Sequence, residues 1–157
     1  MVRKIVAVSA LVALSLALTA TLAAARIATD FGGRIEKDPN TFIGFDMSGS
    51  GKHKQVTGLF VDQVNVACDN DAFSGRQGTL QLSKSLKVNS KGAFKGSNTQ
   101  NLPVRAFGVP TKYKVSVKGK IKRKKAKGTV VVGLLGNNAH CYSGTLRWKA
   151  TDPPPNV

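Results

Sequence analysis

After residue 30 the chain alternates apolar and polar positions in short runs, and no stretch sustains a 3.6-residue apolar period. Gly, Asn, Ser and Pro interrupt these runs roughly every 8 to 12 residues, the rhythm of a small all-β domain. Thr41 to Met47 places Ile43, Phe45 and Met47 on one face. Gln55–Phe60 and Asp62–Cys68 form a long β-rich run in which Val64, Val66 and Cys68 share a face. Thr79–Leu82 and Leu86–Val88 are short strand candidates, and Ala93-Phe94 follows the turn Asn89-Ser90-Lys91-Gly92. The loops at Ser48–Gly51 and Gly96–Asn101 read as polar and mobile.

The clearest element is Lys112 to Leu135. Tyr113, Val115, Val117 and Ile121 alternate with Lys112, Lys114, Ser116, Lys118, Lys120 and Lys122. Successive strand side chains point to opposite faces, so the apolar set packs and the lysines face water. Arg123-Lys124-Lys125-Ala126 reads as a four-residue turn, which sets Lys122 opposite Lys127, Lys120 opposite Thr129 and Lys118 opposite Val131. Ser143 to Ala150 is the last strand, with Leu146, Trp148 and Ala150 inward. Trp148, Phe45, Phe60 and Phe94 read as core. Pro153-Pro154-Pro155 cannot continue a ladder and reads as a frayed tail. The expected fold is a single antiparallel β-sandwich of immunoglobulin-like or jelly-roll-like type, over residues 26–152, with residues 153–157 as the tail.

The first 25 residues follow a different pattern. Arg3 and Lys4 precede an apolar stretch from Ile5 to Leu22, and Ala23-Ala24-Ala25 fits a small-residue cleavage site. This is the layout of a helical signal peptide cleaved near Ala25, and it implies a secreted, extracellular protein. The 18-residue stretch is at the lower limit for spanning a bilayer, and no Cys near it can carry a lipid.

Export changes how the cysteines and the charge are read. Cys68 and Cys141 are the only two, so an oxidising compartment offers one pairing. Closing that loop stabilises by roughly 4 kcal/mol in the chain-entropy account. Cys141 lies two residues before the last strand, so the bridge is expected to pin that strand to the one ending at Cys68. The chain has 24 Lys and Arg against 8 Asp and Glu, a formal charge of +16. Without Arg3 and Lys4 the excess is still near +14. Such an excess favours anionic neighbours.

The candidate anion-binding residues are Lys112, Lys114, Lys118, Lys120, Lys122, Arg123, Lys124, Lys125 and Lys127. On a hairpin they form a positive ridge suited to phosphate or carboxylate polymers of the cell envelope. The competing reading is a solvated loop tip whose lysines discourage edge-to-edge aggregation. No aromatic residue is interleaved and no helix is available for a groove, which argues against sequence-specific nucleic-acid binding.

Other chemistry is thin. Asp69-Asn70-Asp71 offers a partial Ca²⁺ ligand set without EF-hand spacing. Ser50-Gly51-Lys52 fails the phosphate-loop pattern, because Asp46 holds the first Gly position and His53 replaces Ser or Thr. His53 and His140 lack further ligands at metal spacing. There is no G-x-S-x-G elbow, and Glu36 is the sole Glu. The sequence therefore points to a non-catalytic module without metal or cofactor. A structural or protein-interaction domain with incidental charge is the alternative, and a small hydrolase a weaker one.

At Cys141-Tyr142-Ser143-Gly144-Thr145-Leu146-Arg147-Trp148-Lys149-Ala150 the chain resembles small secreted actinobacterial proteins that end in C-x-S-G-x-x-x-W-x-A. Asn89 to Gly96 and Gly128-Thr129 resemble further segments of that group. The resemblance implies an extracellular β-sandwich with one disulfide and supplies no activity or ligand.

Overall fold

The structure is a computed structural model describing residues 30–69, 74–102, 112–136 and 140–155. The expected signal peptide, together with Asn70 and Asp71 of the calcium candidate, lies outside the described residues. The described chain is almost wholly antiparallel β. Its strands are β1 (Phe31–Ile35), β2 (Asp38–Ser48), β3 (Gln55–Asp62), β4 (Val64–Cys68), β5 (Gly75–Gln77) and β6 (Leu80–Gln81). Then come β7 (Leu86–Lys87), β8 (Ala93–Asn101), β9 (Lys112–Lys122), β10 (Lys125–Leu135), β11 (His140–Tyr142) and β12 (Leu146–Thr151).

The all-β architecture is what the alternation predicts, and the Cys68–Cys141 disulfide is the pairing that the two cysteines predict. The sheet is nearly closed. From β10 the ladder runs through β12, β1 and β2 to β3, and on the other side through β9 to β8. β6 and β7 pair with β3 and face β8 and β9 across a seam. Side chains bridge that seam: Tyr113 Oη donates to the Gln81 carbonyl at 3.1 Å and Asn98 Nδ2 to Ser83 Oγ at 2.7 Å. The Gln100 amide also donates to the Gln81 carbonyl. Closure protects strand edges that would otherwise template aggregation.

The inner face holds one core. Phe45, Phe94 and Trp148 form a triangle of rings with centroids 5.9, 6.0 and 6.2 Å apart. Ile43, Val61, Val64, Val115, Val130 and Val132 are fully buried around them. The core places Phe45, Phe94 and Trp148 as expected. Phe60 is buried too, but it pairs with Phe42 and stands apart from the main cluster.

Several sequence expectations need correction. The β9–β10 turn has two residues, not four. Lys122 pairs with Lys125, Lys120 with Lys127 and Lys118 with Thr129. The register therefore moves by two residues and the faces are kept, because side-chain parity is two. Arg123 makes this possible by adopting φ 56°, the left-handed region that tight hairpin turns require. Gly96–Asn101 is not a loop: β8 pairs with β9 along its whole length. Its polar composition hid it, since a ladder to β9 needs backbone groups rather than apolar side chains. Cys141 belongs to β11, a separate strand, while β12 starts only at Leu146. β1 went unread because Gly32-Gly33 breaks its pattern.

β11 and β12 lie end to end along the same side of β10. Gly133 pairs with Tyr142, whereas Val130 pairs with Leu146, so one extra residue is inserted between them. Ser143 fills this bulge: its N–H donates to the Val132 carbonyl and its Oγ accepts from the Val132 N–H, both at 2.9 Å. The bulge lets β11 turn to β4 while β12 turns to β1. The Pro tail folds back, and Pro154 packs within van der Waals reach of Gly32.

Between β3 and β4 the chain kinks at Gln63, with φ 57°. The kink is held from outside. Arg76 Nη1 donates to the Gln63 carbonyl at 2.6 Å and meets Asp38 Oδ2 at 3.3 Å. The buried Thr41 hydroxyl lies 2.6 Å from Asp38 Oδ2 and 2.8 Å from the Gln63 carbonyl. The Thr41 bond, then the Arg76 bond, hold the Asp38 carboxyl below its ordinary range against a desolvation that raises it. A depressed folded pKa contributes stability that is present above the unfolded value and lost as pH falls through the folded one. Thermal melts from neutral to strongly acidic pH should therefore show an acid loss of Tm in the native protein. Asp38→Asn should start lower at neutral pH and show less of that loss.

Candidate anion-binding surface

The lysines of β9 all project from the outer face. Lys112, Lys114, Lys118, Lys120 and Lys122 are exposed, while Tyr113, Val115 and Val117 are buried. Each inherits its position from the alternation, and the ladders then bring together cations far apart in sequence. Lys120 of β9 pairs with Lys127 of β10, Lys127 with Lys149 of β12, and Lys149 with Arg34 of β1. Four cations thus stand in one row across four strands. In the next row Lys95 of β8, Lys118, Thr129 and Arg147 follow one another.

The backbone between these rows is sunken. Phe94, Gly119, Gly128 and Trp148 occupy the register positions between them, with their side-chain directions toward the core. The result is an open cleft of about 740 Å³ lined by Lys87, Lys95, Lys118, Lys120, Lys127 and Arg147. It runs from Lys87 and Asn89 across β8, β9, β10 and β12 to Glu36. At about 4.8 Å per strand step that is roughly 20 Å of floor.

Glu36 is the one acid in the lining, and it is already engaged: Lys149 Nζ lies 2.9 Å from its Oε1. The Lys149 hydrogen bond and charge hold the Glu36 carboxyl below its ordinary value; Arg147 and Lys127 add to this, while burial opposes it. The six cations of the lining make no ion pair among the described residues.

A second cleft of about 490 Å³ joins the first through Lys95, Lys118 and Thr129. Its walls include Ser97, Ser116 and Thr145, whose hydroxyls have no hydrogen-bond partner among the described residues.

Of the nine expected anion-binding residues, the cleft gathers Lys118, Lys120 and Lys127. Lys122, Arg123, Lys124 and Lys125 form the hairpin tip instead, and Lys112 and Lys114 lie toward the opposite end of β9. Lys87, Lys95 and Arg147 were missed, because each comes from another strand and only the ladder register reveals it. A single signal was available for Arg147: its place between inward Leu146 and Trp148 marks it as outward.

No cluster of three or more His, Cys, Asp or Glu residues with metal-binding geometry occurs among the described residues. His140 Nδ1 lies 3.8 Å from Asp69 Oδ2 at an exposed site beside the disulfide. None of the described helices is long and apolar enough to cross a membrane. In comparisons with known proteins, no family model, no curated protein and no solved structure matches the chain.

Proposed function

We propose that this is a secreted, non-catalytic module that holds anionic polymers of the cell envelope or extracellular matrix in the cleft across β8, β9, β10 and β12. The observation that carries this reading is the row Arg34–Lys149–Lys127–Lys120, flanked by Lys95, Lys118 and Arg147. Like charges set directly opposite each other in a ladder destabilise it. Edge protection does not account for them, because Lys127 and Lys149 sit on interior strands of the sheet. A polyanion lying across the row would offset the repulsion and release bound counterions. The export signal read in the sequence and the single disulfide support an encounter outside the cytoplasm.

The test is binding of polygalacturonate and of polyphosphate over a range of salt. Native protein should bind both, with affinity falling steeply as salt rises. The fourfold variant Lys118→Gln, Lys120→Gln, Lys127→Gln, Arg147→Gln should lose most of that affinity and flatten the salt dependence. A variant neutralised only at Lys122, Arg123, Lys124 and Lys125 should lose much less. Salt-independent binding, or equal losses in the two variants, would remove the cleft as the site. The same substitutions carry a second signature: Lys120→Gln and Lys127→Gln should each stabilise the fold in low salt by about 0.2–1 kcal/mol. Stability gained together with binding lost marks a surface kept for its ligand.

A further inference from the structure

We infer that the polymer suited to this surface is an acidic polysaccharide, one of whose sugar rings packs on Tyr142 while its carboxylates reach the lysine cleft. The inference rests on the anion-binding reading and specifies its ligand. Tyr142 is 53% exposed, and it is the exposed large hydrophobic side chain among the described residues. It projects from the outer face, since its neighbour Cys141 is buried opposite Leu134. Its ring edge sits over Gly133: a Cβ built there would lie 3.3 Å from Cε1 and 3.4 Å from Cδ1. Beyond Gly133 the same register row continues to Lys114 on β9. An aromatic ring thus stands two strands from Lys114, which makes no ion pair among the described residues, on the face that carries the clefts.

Geometry joins the two. Thr129, in the cationic row, lies four residues along β10 from Gly133, about 14 Å at strand rise. The second cleft fills the interval, with the hydroxyls of Ser97, Ser116 and Thr145 in its walls. The strip therefore changes character along its length: aromatic and cation, then hydroxyls, then clustered cations. A polyphosphate presents charge at every unit and its oxygens accept from the hydroxyls, but it has no apolar C–H face to pack on the phenol ring. A uronate chain presents all three features. Its ring C–H faces pack on aromatic surfaces, its hydroxyls exchange hydrogen bonds with Ser and Thr, and its carboxylates pair with Lys and Arg.

Titration with polygalacturonate, polyphosphate and neutral dextran separates the possibilities. Tyr142→Ala should weaken polygalacturonate binding roughly threefold to tenfold and leave polyphosphate binding unchanged. Tyr142→Phe should bind polygalacturonate as native protein does. The fourfold cleft variant should lose both polyanions, and dextran should bind far more weakly than polygalacturonate. If Tyr142→Ala lowers Tm yet binds polygalacturonate normally, the ring serves only to cover Gly133, and the inference fails while the anion-binding reading stands. If the cleft variant binds both polyanions unchanged, the reading itself fails. Equal loss of both polyanions in Tyr142→Ala would also overturn the sugar-stacking role.

Discussion

Removing the Cys68–Cys141 bridge, by Cys68→Ser with Cys141→Ser or by reduction, should cost about 4 kcal/mol and lower Tm by roughly 10–20 °C. The bridge closes a loop of 73 residues, long enough for its constraint on the unfolded chain to be large. The native geometry adds a local reason. The two cysteines are direct partners in the β4–β11 ladder, with Cα atoms 3.9 Å apart. Only Cys141–Cys68 and Tyr142–Ala67 pair in that ladder. By contrast, β9 and β10 share eleven register pairs. The seam between β4 and β11 therefore depends on the bridge, and the hairpin does not. Hydrogen exchange of the reduced protein should accelerate first in β4, β5 and β11 while β9 and β10 remain protected. An unchanged Tm, or uniform loosening of the whole sheet, would contradict this assignment. Calorimetry with and without reductant gives the first answer.

The bridge was legible as a pairing but not as a position. Two cysteines beyond an expected export signal leave one partner each, so identity follows from counting. That Cys141 stands in a three-residue strand of its own depends on the bulge at Ser143, which nothing in the local pattern marks. The same division holds elsewhere. The alternation of Lys112 to Lys122 gave the face of every residue in β9 correctly, because parity is a local property. The register with β10 was misjudged by two because Arg123, a residue with no special liking for positive φ, forms the turn. β8 escaped notice because Gly96 to Asn101 has no apolar period, and its strand character comes from the partner it meets.

The cleft follows this rule most clearly. Its three β9–β10 lysines were foreseen as a ridge, whereas the concavity and its other walls were not. Arg34, Lys149, Lys127 and Lys120 become neighbours only through three successive ladders. Lys87 and Lys95 reach the cleft from β7 and β8. Charge composition announced an anionic partner, but long-range pairing decided which cations act together. The tip residues Lys122 to Lys125, which dominate the sequence pattern, stand outside the cleft lining.

That floor leads to the second large effect. Gly119→Ala and Gly128→Ala should both destabilise severely, yet only the first should be rescued from within the core. A Cβ on Gly119 would meet Phe94 Cζ at 2.5 Å and Trp148 Cζ2 at 2.7 Å, both side-chain atoms. A Cβ on Gly128 would meet the Lys118 carbonyl oxygen at 2.1 Å and the Gly119 Cα at 2.7 Å, both backbone, as well as Trp148 Cζ2 at 2.7 Å. Trp148 is almost fully buried, and its Nε1–H has no hydrogen-bond partner. Burial of the indole is worth about 3–5 kcal/mol, which truncation to Ala would forfeit. Phe94→Leu removes the ring atoms nearest Gly119, so Phe94→Leu with Gly119→Ala should be more stable than the sum of the single losses by about 1 kcal/mol or more. Phe94→Leu with Gly128→Ala should be additive, because no side-chain change moves a carbonyl oxygen in the ladder. Urea unfolding of the three single variants and the two doubles measures both couplings. Equal coupling in the two pairs would show that the glycines serve backbone curvature rather than room for the aromatic rings, and the cleft floor would then owe its depth to sheet bending alone.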